Sequence, residues 1–154
     1  MLHLALYQPD QPGNTGTLLR TCACLGVPVE ILEPCGFPFS DKALARAGMD
    51  YMDRGQLTRH LDWAGFDRWR KVAGKRLVLL TTKGAIPHTE LTYGQHDVLM
   101  VGQESCGVPE IVHAAADARV VIPLKPDMRS LNVAVAAAIV LAEALRQTKG
   151  YPYD

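Results

Sequence analysis

The 154-residue chain predicts an α/β fold in which a mostly parallel sheet is covered by helices on both faces. Three observations carry that expectation. Short apolar, β-branched runs recur along the chain, and helix-like stretches stand between or after most of them. No linker, low-complexity stretch or internal repeat divides the sequence, so residues 1–154 are expected to form a single domain, long enough to bury a core unaided.

Strand-like runs lie at Leu2–Tyr7, Val27–Leu32, Arg76–Thr82, Val98–Gly102 and Val120–Leu124. The helix-like stretches are Thr17–Leu25, Asp41–Ala47, a segment within Leu57–Val72, then Val108–Ala116 and Leu131–Gln147. The last helix is best marked. Leu131, Val135, Ala138, Leu141, Ala142 and Leu145 recur at helical spacing, Ser130 offers an N-cap, and Gly150 followed by Pro152 supplies the stop. Its alanines permit close approach of another backbone, such as a second subunit.

Composition narrows the function classes. Sixteen basic residues balance sixteen acidic ones, so a polyanionic partner must be met by a local basic patch rather than by overall charge. No apolar run approaches the ~18 residues of a membrane span, and no early stretch resembles a signal peptide. A cytosolic protein with no membrane association is expected. The four cysteines, Cys22, Cys24, Cys35 and Cys106, include no CxxC pair and read as reduced; no pattern suggests a metal site.

Ligands of open α/β sheets bind beyond the carboxyl ends of the strands, which directs attention to three segments. In the first, "QPDQPGNTGTLLRTC", Asn14 and Gly16 suit positive φ or close backbone approach. The following helix would carry Arg20 about one turn in, suited to an anion or a ribose-phosphate. A dinucleotide loop would need GxGxxG there, and it is missing. In the second, "VGQESCGVPE", Gly102 and Gly107 free the backbone, Pro109 suits a first helical turn, and Glu104 is an acid at a strand end. In the third, "VIPLKPDMRSLNVA", Pro123 and Pro126 stiffen an extended path leading to Arg129, Ser130 and Asn132. Each segment alone is equally a capped turn. Their shared strand-end position is what argues for one ligand site.

These segments, in this order, resemble the SPOUT superfamily of RNA methyltransferases. Pro12-x-Asn14-x-Gly16-x-x-x-Arg20 resembles the first family motif, Gly102-x-Glu104-x-x-Gly107-x-Pro109 the second, and Ile122-Pro123 through Ser130-Leu131-Asn132-Val133-Ala134 the third. "EPCGFPFSDKALARAGMDY", Glu33 to Tyr51, is similar to a narrower group, the minimal tRNA 2′-O-methyltransferases acting on the wobble nucleotide, cytidine or modified uridine 34. The resemblance implies a deep carboxyl-terminal trefoil knot, a homodimer, and a tRNA anticodon stem-loop as partner, leucine tRNAs foremost. It also implies S-adenosylmethionine as methyl donor, S-adenosylhomocysteine as product, and no metal. Residue by residue it implies Leu80, Thr81, Gly102, Ile122, Leu124 and Ser130 at the cofactor, Asn14 and Arg129 at the substrate, and Arg20, Glu104 and Asn132 in catalysis. Two positions depart from the group: Cys106 replaces a larger or charged residue, and Ala142 a tyrosine.

An arginine is almost never deprotonated, so Arg20 is expected to hold the adjacent phosphate and stabilise developing alkoxide charge. The proton acceptor is left open among Glu104, the substrate phosphate and water. The run Arg54, Arg59, Arg68, Arg70, Lys71, Lys75, Arg76, with Trp63 and Trp69, reads either as an RNA-gripping patch with stacking rings or as a solvated helix face over a core. Alternatives to a wobble-nucleotide enzyme are methylation at another tRNA or rRNA position, a knotted RNA-binding protein without catalysis, and a flavodoxin- or Rossmann-type nucleotide module. A hydrolase using Ser105 or Cys106 with His88 or His113 is a further rival, although the nucleophile-elbow spacing is wrong.

Overall fold

A computed structural model describes residues 1–38, 40, 42 and 56–153. Seven strands form one sheet: β1 (His3–Tyr7), β2 (Val29–Leu32), β3 (Leu57–His60), β4 (Arg76–Leu80), β5 (Ile86–Pro87), β6 (Asp97–Val101) and β7 (Ala118–Val121). Their order is β3-β2-β1-β6-β4-β7-β5, and every pairing is parallel. The described helices are α1 (Pro12–Leu25), α2 (Trp63–Val72), α3 (Glu110–Ala115) and α4 (Val133–Thr148).

Alternate strand residues face opposite layers, as the two-residue period requires. On one side Leu4, Leu6, Val29, Ile31, Val78, Leu99, Val101 and Val120 meet Leu18, Leu19 and Cys22 of α1 and Ala137, Val140, Leu141, Ala144 and Leu145 of α4. On the other, Ala5, Tyr7, Leu32, Leu77, Leu79, Val98 and Met100 meet Phe66 of α2 and Val112 of α3, with Trp63 and Trp69 packed against them. The sheet is therefore covered on both faces, and its central strands carry the continuous apolar runs that double burial demands. One buried carboxylate interrupts the second layer. Glu30 meets the His3 ring at 2.8 Å and the His60 ring at 2.7 Å, one imidazole on each oxygen.

Several expected boundaries shift, each for a local reason. α1 begins at Pro12 rather than Thr17, so the Pro-Gly-Asn-Thr-Gly stretch forms its first turn instead of a loop. Proline at N1 has a preset φ and no N–H to leave unpaired, which outweighs the poor helix propensity of two glycines. Asn14 and Gly16 are helical, and the left-handed backbone falls on Gln8 (φ 41°). The segment within Leu57–Val72 divides into the edge strand β3 and then α2, whose N-cap Asp62 accepts from the Gly65 N–H at 2.8 Å. The N-cap of α4 is Asn132 rather than Ser130: its Oδ1 accepts from Ala134 N at 2.8 Å and Val135 N at 3.3 Å. Its other end turns at Lys149 (φ 54°), while the Gly150 N–H donates to the Leu145 carbonyl at 2.9 Å. The helix expected at Asp41–Ala47 lies, apart from Lys42, outside the described residues.

Candidate functional site

β1 leads to β2 and β3 on one side of the sheet, whereas β6 leads over β4 to β7 on the other. The boundary between β1 and β6 is thus the topological switch point, where the loops leaving the carboxyl ends part and open a crevice. A cavity of about 940 Å³ lies there, walled by segments following β1, β4, β6 and β7. Val101, Val120, Ile122, Leu131 and Val140 give it apolar walls, while Asn14, Thr81, Gln103, Glu104, Ser130 and Asn132 give it polar ones. This mixed lining suits a ligand that is part aromatic or aliphatic and part hydrogen-bonding.

The β6–α3 loop closes on itself. Gln103 and Gly107 exchange two backbone hydrogen bonds of 2.9 Å, and Gly107 takes a left-handed φ of 68°. A Cβ at Gly102 would lie 2.6 Å from the Gly107 carbonyl carbon, so only glycine allows the loop to fold back this tightly. The turn projects Glu104 toward α1. Its Oε1 accepts from Asn14 Nδ2 at 3.4 Å, and Asn14 Oδ1 accepts from Asn132 Nδ2 at 3.0 Å. One side-chain relay thus joins all three motif segments, with Asn14 in the middle. Because Asn132 also caps α4, the relay is anchored to a helix end.

A second acid sits beside the first. Asp10 Oδ1 accepts from the Glu104 N–H at 3.3 Å, its Oδ2 accepts from the Ser105 hydroxyl at 2.5 Å, and its own N–H donates to Glu104 Oε2 at 3.4 Å. The hydrogen bond with Glu104 and that from Ser105 hold the Asp10 carboxyl below its ordinary range. Burial, then the side-chain contact with the Asp10 carboxyl, pushes the Glu104 carboxyl above its own.

The cavity walls include Leu80, Thr81, Gly102, Ile122, Leu124 and Ser130, the six positions expected at a cofactor, and Asn14, Glu104, Arg129 and Asn132. Arg20 is not among them. With α1 starting at Pro12, it lies roughly two turns along the helix rather than one, exposed on the surface. Much of the basic run from Arg54 to Arg76 is engaged in ion pairs, while Arg68 is exposed and Lys75 donates to the Met1 carbonyl. Arg70 is buried against Asp67, Asp117 and the Ala115 carbonyl, Lys71 pairs with Asp67, Arg76 with Asp97, and Arg59 with Glu33. Trp63 and Trp69 pack against the core, and Arg54 lies outside the described residues. The hydrolase arrangement is not assembled: Ser105 donates to Asp10, Cys106 to Gln103 Oε1 at 2.8 Å, and the His113 ring meets the Lys83 carbonyl at 3.0 Å. His88 is buried elsewhere, with Nδ1 unpartnered.

Sequence reasoning passed over Asp10, although a signal existed. It stands three residues beyond the end of β1, the same offset that Glu104 keeps from the end of β6. Gln103, whose Nε2 donates to the Gln8 carbonyl at 2.9 Å, was also passed over. Among the described residues no group of three or more His, Cys, Asp or Glu is placed to hold a metal ion, and no helix is long and apolar enough to cross a membrane.

A parallel α/β sheet with its polar groups converging on a switch-point cavity defines a protein of the α/β class that takes its ligand at the strand ends. The chain belongs to the SpoU rRNA Methylase family, whose model matches residues 1–142. A curated relative, the tRNA (cytidine(34)-2′-O)-methyltransferase of Beijerinckia indica subsp. indica, is 62% identical over 144 residues, covering 94% of this chain and 90% of the relative. A solved structure described as giving insights into the 2-OH methylation of C/U34 on tRNA superposes with a TM-score of 0.88 at 39% identity, covering 97% of each chain. The AdoMet-bound rRNA methyltransferase of Sinorhizobium meliloti superposes with a TM-score of 0.84 at 31% identity, over 94% of this chain and 56% of that one.

Proposed function

We propose that this protein is an S-adenosylmethionine-dependent tRNA 2′-O-methyltransferase that modifies the ribose of wobble nucleotide 34, cytidine or uridine. The observation that carries the reading is the relay Asn132–Asn14–Glu104, which joins the three motif segments at one cavity in a chain 62% identical to a protein named for that reaction.

S-adenosylmethionine supplies a methyl group activated by its sulfonium. Leu80, Thr81, Gly102, Ile122, Leu124 and Ser130 would hold it, and their mixed apolar and polar lining suits an adenosine with a charged amino-acid tail. A new C–O bond to the ribose oxygen forms as the S–C bond breaks, leaving S-adenosylhomocysteine, and the hydroxyl proton must depart. The chain's own contribution is positioning, desolvation and charge stabilisation. Asn14 and Arg129 would orient the nucleotide, Asn132 would fix Asn14, and Arg20, outside the cavity wall, would meet the substrate phosphate. Glu104, hydrogen-bonded to Asn14, would receive the proton directly or through water.

The same reading includes one knotted domain across residues 1–154, a cytoplasmic enzyme, a homodimer, and the anticodon stem-loop of leucine tRNAs as partner. Support for the homodimer comes from Leu131, Val135 and Ile139, which leave apolar surface exposed before and along α4. The test is transfer of labelled methyl to total tRNA from a strain lacking the corresponding activity, followed by mapping of the label. Label on the ribose of nucleotide 34 is expected. Label at another nucleotide refutes the site assignment, and failure to bind S-adenosylmethionine refutes the methyltransferase reading.

A further inference from the structure

We propose that Asp10 is a positioning residue for methyl transfer: by clamping the Gln103–Gly107 loop across the switch point it sets where the Glu104 carboxylate stands. The proposal rests on the methyltransferase reading and goes beyond it, because Asp10 belongs to none of the three motifs.

The clamp is reciprocal. Asp10 receives the Glu104 N–H and the Ser105 hydroxyl on its two oxygens and gives its own N–H to Glu104 Oε2. Three hydrogen bonds therefore cross from the β1–α1 segment to the β6–α3 loop at one residue. A fourth crossing, from Gln103 Nε2 to the Gln8 carbonyl at 2.9 Å, fixes the same two segments from the neighbouring position. Behind it, the Gly36 N–H donates to the Pro9 carbonyl at 2.9 Å, and a Cβ on Gly36 would lie 2.7 Å from the Asp10 Cβ. Asp10 is thus wedged between backbone on one side and the loop on the other, and has little freedom to swing away.

The electrostatic consequence follows from the same contacts. Among the described residues, the hydrogen bonds to the Glu104 carboxylate come from Asp10 and from Asn14 of α1. The other titratable or charged groups around the cavity are Lys83 after β4, Cys106 on the loop itself, Glu110 and His113 of α3, and Arg129 before α4. Asp10 is the acid in contact, and its proximity adds to burial in raising Glu104. Neutralising Asp10 lets Glu104 ionise at lower pH, so the acid limb of the rate profile moves to lower pH. Loss of the clamp also displaces the loop, which lowers turnover even where Glu104 is ionised.

The experiment compares Asp10→Asn, Asp10→Ala and Asp10→Glu with the intact protein, measuring methyl transfer to tRNA across about pH 5 to 9, S-adenosylmethionine binding by calorimetry, and melting temperature. Asp10→Asn is expected to lower kcat about tenfold or more, to shift the acid limb of kcat/KM downward in pH, and to bind the cofactor within about threefold of the parent. Asp10→Glu should restore most of the rate. An Asp10→Asn enzyme with kcat within about twofold and an unshifted limb overturns the proposal. Loss of cofactor binding and melting temperature in parallel with rate also overturns it, since that marks a merely structural role. If the unaltered protein binds S-adenosylmethionine yet methylates no tRNA, the functional reading fails and the proposal falls with it; an active parent with an indifferent Asp10→Asn sinks the proposal alone.

Discussion

Replacing Gly102 by alanine tests whether the fold-back of the β6–α3 loop builds the cavity. The added Cβ would meet the Gly107 carbonyl carbon at 2.6 Å, its Cα at 2.8 Å and its oxygen at 2.9 Å. All three are backbone atoms, so the clash is relieved only by opening the loop. Opening it breaks the two 2.9 Å hydrogen bonds between Gln103 and Gly107, each worth about 1 kcal/mol net. The resulting cost of about 2 kcal/mol corresponds to roughly thirtyfold weaker S-adenosylmethionine binding if the closed loop is required for binding. For a chain of this size it also lowers the melting temperature by roughly 4–8 °C. Calorimetric titration with S-adenosylmethionine and a thermal melt give both values. Gly13→Ala is the internal control: the position is helical with nothing within 4 Å of an added Cβ, so stability should hold or rise by up to about 1 kcal/mol. A Gly102→Ala protein that binds within about threefold of the parent and melts at the same temperature would refute the argument.

Arg20→Ala should abolish methyl transfer while leaving cofactor affinity within about threefold, because Arg20 lies outside the cavity wall; calorimetry beside a labelled-methyl assay checks both halves. Asn132→Ala removes the N-cap of α4 and the donor to Asn14, and should cost about 1 kcal/mol in denaturant unfolding together with a fall in kcat. Cys22 should contribute to the alkaline loss of stability, alongside Cys35 and Tyr93, which burial also raises, to about 11 and about 12. Burial raises the Cys22 thiol from 9.0 to about 12, so the unfolded chain ionises first. Its contribution is full below pH 9.0 and is lost as pH rises toward about 12, and Cys22→Ala should flatten melting temperature against pH in that range.

The parallel α/β architecture was legible because its strands are buried on both faces and read as short apolar runs whichever layer they contact. Element starts were less legible. Pro12 and two glycines look like a turn, yet Pro12 is the favoured first residue of α1, and Ser130 and Asn132 are both acceptable caps until the backbone decides between them. β3 escaped notice because Thr58 and Arg59 on this edge strand are exposed and carry no apolar pattern. The three motif segments could be found from residue type and strand-end position. The Asp10 contacts could not, since they join residues 94 and 95 positions apart and depend on β1 lying beside β6.

The fate of the basic run shows why charge in sequence is weak evidence for a polyanion surface. Arg70 would be costly to bury alone, so the fold surrounds it with Asp67, Asp117 and a carbonyl oxygen; Arg76 is held by both oxygens of the buried Asp97 and by the Thr92 carbonyl. Arg70 is thereby committed to packing, whereas the Arg76 side chain keeps 37% of its surface exposed. Trp69, close to the His3 and His60 rings at centroid distances of 5.5 and 5.3 Å, is likewise committed to packing. With a formal net charge of zero, the chain has to meet a tRNA phosphate backbone through local cations, and within this run Arg59, Arg68 and Lys71 remain exposed. Arg129 stands on the cavity wall, whereas Arg20 lies on the exposed side of α1, outside that wall. On the proposed reading, Arg129 would hold the nucleotide beside Asn14 and Glu104, so that a substrate would be held firmly only where its ribose can react.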